Sequence, residues 1–142
     1  MLLMNLIFWM FMKVKMTNIR ATVLCHWGGE MLDGKDGLSY NMNCKNCLKL
    51  NQGLTYSQLL DRIYSTMRLE RGENRVKMTC RFPTITREQQ LSYMPLLIED
   101  DDSVEAMLDV FFLNRGFFSV DLYVETEKIA RVPSFFSNAS DP

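Results

Sequence analysis

The sequence holds a single histidine, His26. Nucleophilic catalysis of the Ser–His or Cys–His kind would have to run through that one ring. Its neighbour Cys25 falls on the opposite face of any strand that contains both, so the two are badly placed as nucleophile and base. Glycine is sparse, at seven residues, and no glycine-rich phosphate loop occurs; Trp27-Gly28-Gly29 reads as a strand break. The net charge is −1, too small for overall attraction to nucleic acid or to an anionic membrane. No apolar run approaches the roughly 20 residues that a membrane-spanning helix needs. The four cysteines do not make a zinc framework. Cys44 and Cys47 form a C-x-x-C, but no second pair stands at the usual spacing. The one metal set available is Cys25, His26, Cys44 and Cys47, weighed against reduced thiols with Cys25 and Cys80 as small core residues. The expectation is no metal and no cofactor.

What is present is the material of one globular domain. Of the 142 residues, 47% are hydrophobic and 23% charged, enough to bury a core without disulfides or metal. The charge is unevenly placed. Residues 1–90 carry thirteen Lys/Arg against seven Asp/Glu, and residues 91–142 carry three against ten. That asymmetry is the main electrostatic signal.

The N-terminal stretch Leu2 to Met12 is apolar except for Asn5, and Lys13 and Lys15 follow it. A signal peptide carries its positive charge before the apolar run and a small-residue cleavage site after it, the reverse of this order. Residues 1–17 are therefore read as an apolar leader outside the fold, upstream of a second start at Met16, with a membrane-surface anchor as the alternative. The domain is expected over 18–128. Residues 129–142 are expected to be a disordered tail, in which Asn138-Ala139-Ser140 is a glycosylation sequon.

Within the domain the patterning alternates between strand and helix. Ile19, Ala21, Val23 and Cys25 share one face of a strand, with Arg20, Thr22, Leu24 and His26 on the other. Residues 30–37 are turn-rich, and a second strand is expected from Leu38 to Met42 with irregular extension to Leu50. Thr55 and Gln58 have capping-box spacing, and Tyr56, Leu59, Leu60, Ile63, Tyr64 and Met67 make one helical stripe. Gly72 suits a left-handed C-cap. A strand from Arg75 to Phe82, ended by Pro83, points Val76, Met78, Cys80 and Phe82 inward and Lys77, Thr79 and Arg81 outward. A short strand over Met94 to Ile98 is marked as an edge by Pro95. The second helix is capped at Asp102 or Ser103, with Val104, Met107, Leu108, Phe111 and Phe112 as its stripe. The last strand, Phe117 to Glu125, sends Phe118, Val120, Leu122 and Val124 inward. The order β-β-α-β-β-α-β is that of an α+β, ubiquitin-like β-grasp: a mixed sheet with a helix packed across it, first and last strands parallel at its centre.

Several stretches together carry a family resemblance. They are the opening strand ending in Trp27-Gly28-Gly29, Gly53-Leu54-Thr55-Tyr56-Ser57-Gln58-Leu59-Leu60, Val76 to Phe82, Pro95 to Val104, and Val120-Asp121-Leu122-Tyr123-Val124-Glu125. This resembles the N-terminal PB1-like domain of plant Mutator-like element (MuDR-type) transposases. The resemblance implies a nuclear, transposon-derived origin and a non-catalytic protein–protein interaction module. The catalytic domain and zinc knuckle that follow in full-length relatives have no counterpart in these residues, so transposase activity is not carried over.

PB1 domains pair head to tail, an acidic loop of one meeting a basic sheet patch of the next. Here the acidic half is Glu99, Asp100, Asp101 and Asp102, with Glu105 and Asp109 nearby. The basic half is Arg20, Lys77 and Arg81. Opposed patches of this kind steer association and set orientation. The competing reading is structural: acidic residues complement the dipole at a helix N-terminus, and Lys77 and Arg81 pair with Asp121 and Glu125 across strands. The expected partner is a protein, either a second copy or another PB1-like domain, with no membrane and no small molecule. The other class of function is accessory nucleic-acid binding by the basic residues between Lys45 and Arg87. The acidic half of the chain opposes it, and Tyr56 and Tyr64 fall on the helix stripe.

Overall fold

The computed structural model describes residues 19–114 and 116–130. The expected leader, and the expected tail beyond Ala130, lie outside the described residues. Seven strands and two helices follow in the order β1 (Ala21–His26), β2 (Met31–Gly34), β3 (Gly37–Tyr40), β4 (Asn46–Leu50), α1 (Tyr56–Met67), β5 (Asn74–Ile85), β6 (Leu91–Ile98), α2 (Asp101–Leu113) and β7 (Val120–Lys128). This is an α+β fold with one mixed sheet, ordered β2-β3-β6-β5-β7-β1-β4.

Strict alternation drives β1: Ala21, Val23 and Cys25 are fully buried while the residues between them are half exposed. β1 runs parallel to β7, with Val23 opposite Val120 and Cys25 opposite Leu122. The first and last strands are thus parallel neighbours, as expected, although the central place among the seven belongs to β5. β7 pairs antiparallel with β5, where Cys80 faces Leu122. Leu59 and Ile63 of α1 and Val104, Met107 and Leu108 of α2 bury against one face of this sheet, in a single core with Val23, Cys25, Leu48, Met78, Cys80 and Leu122.

Both helices start at capping boxes. The Thr55 hydroxyl accepts from the Gln58 N–H at 3.2 Å, and the Thr55 N–H donates to Gln58 Oε1 at 3.0 Å, as the spacing predicts. In α2 the cap is Asp100, not Asp102 or Ser103. Its carboxylate accepts from the Ser103 N–H at 2.8 Å, and the Ser103 hydroxyl takes the third position of the box. At the other end of α1 the left-handed residue is Arg68, with φ of 55°. Gly72 sits instead in the turn that follows, where Glu73 and Asn74 donate to the Glu70 carbonyl. The helix stops a turn early because Leu69 N–H folds back onto the Tyr64 carbonyl at 2.9 Å, closing the last turn.

The second strand expected from Leu38 onward is two strands at opposite ends of the sheet. β3 forms a hairpin with β2 on the far edge, and β4 lies antiparallel to β1. Asn41 to Lys45 cross between them. Pro83 does not end β5. The strand continues to Ile85, because beyond Cys80 its registered partner is β6 alone and a proline there interrupts no second ladder. Phe118 was expected inward; it precedes β7 and is 86% exposed.

The hairpin touches β6 at a single registered pair, Gly37 opposite Tyr93. Gly37 holds φ of +92°, and a Cβ there would collide with the Tyr93 carbonyl and lie 2.7 Å from its nitrogen. Gly37→Ala is therefore expected to lift the hairpin while leaving the core sheet intact. In hydrogen exchange, the Tyr93 amide that donates to the Asp36 carbonyl should lose its protection, and the amides of β1 and β7 should keep theirs.

Candidate functional site

Glu99, Asp100, Asp101 and Asp102 form the step from β6 into α2, and all four are exposed. Two of them have structural partners. Asp100 caps its own helix, and hydrogen bonds from the Ser103 backbone and hydroxyl hold its carboxyl below the usual carboxylate range. Asp101 reaches to the other helix: its carboxylate accepts from the Tyr56 N–H, the first residue of α1, at 2.7 Å. One acidic step thus serves the positive ends of both helices. Asp102, also in the first turn of α2, complements the dipole without capping a backbone N–H, and Glu99 has no such duty.

The acidic surface continues beyond the run. Asp101, Glu105 and Asp109 stand four residues apart on α2 and so share one face. They line a depression against Gln52, Gly53 and Leu54, before α1. Among the described residues, none of Glu99, Asp100, Asp101, Asp102, Glu105 and Asp109 is in an ion pair.

The basic residues do not mirror this. Arg20 is exposed just before β1, at the end of the sheet where β7 begins; Lys77 is level with Glu125, near the end of β7. The two stand at opposite ends. Arg81, four residues from Lys77 and so about 13 Å along the strand, is not an exposed patch residue. Its side chain is 24% exposed and engaged three ways. Nε donates to the Leu38 carbonyl at 2.6 Å, the guanidinium lies 3.4 Å from the centre of the Tyr93 ring, and one nitrogen is 3.9 Å from Asp121. The expected basic patch of Arg20, Lys77 and Arg81 is not a contiguous surface.

The reason is the β2–β3 hairpin, which lies over the sheet face that carries no helix. Tyr40 stacks on Tyr123 of β7 with ring centres 4.7 Å apart, Leu38 of the hairpin is itself buried, and Thr79 of β5 is buried beneath it. His26 belongs to the same cluster. Its Nε2 is 2.9 Å from Asp121 and its Nδ1 3.0 Å from the Met42 carbonyl. Both partners are acceptors, so a neutral ring donates to one of them and a doubly protonated ring to both. His26, the last residue of β1, is thus in contact through both ring nitrogens. Among the described residues, no hydroxyl or thiol is in hydrogen bond with either ring nitrogen. Burial, with the nearby Asp121 charge second, pushes the Tyr123 hydroxyl up to about 12.

His26 cannot join Cys25, Cys44 and Cys47 around one ion. Cys25 is in the core on the helix face, whereas His26 and its committed nitrogens lie on the other. Cys44 and Cys47 are exposed, and the Cys44 thiol donates to the Asn46 carbonyl at 3.0 Å. Among the described residues, no three His, Cys, Asp or Glu side chains are placed to hold a metal. Nor is any described helix long and apolar enough to cross a membrane.

The structural reading of the sequence anticipated Arg81 beside Asp121; what it missed is that His26 joins the same carboxylate. The one signal for that was that His26, Arg81 and Asp121 all fall on outward positions of strands expected to be neighbours. Compared with protein-family models and with curated proteins, the chain matches none.

Proposed function

We propose that this chain is a non-catalytic protein–protein interaction module of β-grasp type that binds a basic partner through the acidic face of Glu99, Asp100, Asp101, Asp102 and Glu105. The observation that carries the reading is the uncompensated charge. These carboxylates and Asp109 lie together on one exposed face with no ion-paired cation among the described residues. Helix capping accounts for Asp100 and Asp101, and Asp102 in the first turn of α2 complements its dipole; Glu99 and Glu105 are left without such a role. A partner's Lys or Arg side chains would gain Coulomb energy against all of them and be steered toward them from a distance.

The resemblance to PB1-like domains of Mutator-type transposases is part of this proposal, and with it a nuclear setting. It is supported by β1 and β7, the first and last strands, lying side by side and parallel inside the mixed sheet, as a β-grasp would require. The dispersal of Arg20, Lys77 and Arg81 argues that the partner, not a second copy of this chain, supplies the basic half.

The test keeps both caps. Glu99→Gln/Asp102→Asn/Glu105→Gln should shift stability by no more than the loss of one first-turn charge, about 0.3–1 kcal/mol. Proteins retained by the immobilised chain at low salt would be identified by mass spectrometry and their affinities measured singly. A true partner loses at least about tenfold in affinity, or about 1.4 kcal/mol, in the triple variant and weakens with added salt. Retention that ignores both charge and salt would sink the reading.

A further inference from the structure

The β2–β3 hairpin is fastened to the helix-free face of the sheet at two places of different chemistry. At its tip, the Tyr93 N–H donates to the Asp36 carbonyl at 3.2 Å and Arg81 Nε to the Leu38 carbonyl at 2.6 Å. An amide and a guanidinium keep their protons at any ordinary pH. At its base, the two ends of the hairpin are joined to each other. The Tyr40 hydroxyl accepts from the Gly29 N–H and Asn41 Oδ1 from the Glu30 N–H, both at 2.8 Å, and the Asn41 N–H donates to the Glu30 carbonyl at 3.1 Å. This joined base meets β1 at two points: the Lys45 N–H on the Cys25 carbonyl at 2.8 Å, and the Met42 carbonyl on His26 Nδ1 at 3.0 Å. The second of these titrates.

The groups that face His26 come from several strands. From β7, Asp121 lies 2.9 Å from Nε2, and its other oxygen is 3.9 Å from Arg81 of β5. The Tyr123 ring of β7 stands edge-on at 5.3 Å and the Tyr40 ring of β3 at 5.8 Å. The Tyr123 hydroxyl, pushed up to about 12, stays protonated. From β4, Cys47 is opposite Leu24 and not His26, and Lys49 is bound to the Thr22 hydroxyl. Among the described residues, Asp121 is thus the one charged group in hydrogen bond with the ring. The His26 side chain is only 13% exposed, so a nitrogen that loses its partner has little water to turn to. A doubly protonated ring donates to both Asp121 and the Met42 carbonyl. A neutral ring has one proton for two acceptors. It keeps that proton on Nε2, because a carboxylate is the stronger acceptor. The Nδ1 lone pair then faces the Met42 carbonyl oxygen, acceptor against acceptor, and that contact fails.

We infer that His26 is a proton-operated latch on the β2–β3 hairpin. Doubly protonated, it closes the base of the hairpin onto the sheet; on losing the Nδ1 proton it releases the Met42 segment, while Asp36 and Leu38 hold the tip. Opening at the base loosens the Tyr40–Tyr123 stack and uncovers Tyr123, which is 2% exposed when the latch is closed. The inference is independent of the acidic face. Amide exchange of the full chain, followed by NMR and corrected for intrinsic rates, reads the latch. Histidine changes charge between about pH 5 and 8. Across that range, protection at Asn41 and Lys45 should fall about fivefold, as the loss of one hydrogen bond gives, and should follow the titration of the His26 ring protons. Protection at Tyr93, at the tip, should hold. His26→Phe keeps a ring in the aromatic cluster but carries no proton, and should abolish the pH dependence. Asp121→Asn should act in the opposite way to a simple loss of contact. The new amide donates to Nε2, so the neutral ring carries its proton on Nδ1 and the latch stays closed at about pH 8. Circular dichroism checks that both variants fold. Protection at Asn41 and Lys45 that stays constant while the ring titrates overturns the inference. So does a fall that persists in His26→Phe, and so does an open base at about pH 8 in Asp121→Asn.

Discussion

The protein should unfold in alkali between about pH 10 and 12, while its secondary structure holds at pH 9. Cys25 and Cys80 are both fully buried on the helix face of the sheet. Burial pushes each thiol from an ordinary value of 9.0 up to about 12; neighbouring thiols add to this for Cys25, and the Asp121 charge adds to it for Cys80. The sign follows from proton binding. Between pH 9 and 12 the folded state keeps both protons and the unfolded chain has released them, so stability falls as pH rises. Each pH unit costs about 1.4 kcal/mol per thiol. By pH 11 the pair removes about 5 kcal/mol, a large part of the 5–15 kcal/mol typical of a domain. Tyr123 adds to the loss above pH 10, since its hydroxyl is also raised to about 12. Far-UV circular dichroism against pH checks this. Cys25→Ala/Cys80→Ala should be less stable at neutral pH but show a much flatter decline between pH 9 and 11. An equal slope in that variant would remove the buried thiols as the cause.

Those thiols also show what was readable in the sequence. Cys25 and Cys80 sit at alternating inward positions on β1 and β5, and a period of two placed both in the core without any knowledge of partners. The Thr55–Gln58 box was legible for the same reason: donor and acceptor are three residues apart in one chain. The failures are non-local. Nothing near Leu38 says that β3 pairs with β6 while β4 returns to β1, because that choice depends on which edges remain open after the sheet has formed. Once the hairpin crosses the helix-free face, Arg81 and Tyr123 change from outward side chains into covered ones, and the expected basic patch is lost with them. The acidic face survived that rearrangement because it is built by a single segment, β6 into α2. The Asp101 contact to Tyr56 is the exception: it joins residues 45 apart and needed the packing of both helices to be known.

Leu122→Ala should be the costliest single truncation, lowering stability by about 3–5 kcal/mol, the upper part of the range for buried leucines. Leu122 is fully buried on β7, with Cys25 of β1 on one side and Cys80 of β5 on the other. Both flanking side chains are small, held by two ladders, and cannot swing across to fill the space. The helices above contribute Val104, Met107 and Leu108 to the same core, and their backbones are held by caps at the acidic step. The cavity therefore stays open, and the lost dispersion contacts are not recovered. Phe118→Ser is the matched control. Sequence alternation placed Phe118 in the core beside Leu122, yet it is 86% exposed. Its loss should change stability by less than about 0.5 kcal/mol. Urea unfolding of the two variants separates the pair. Similar costs for both would mean that β7 lies in another register and that the parallel pairing of β1 with β7 is misplaced. A large loss at Leu122 alone ties the core, and with it the orientation of the acidic step, to that pairing.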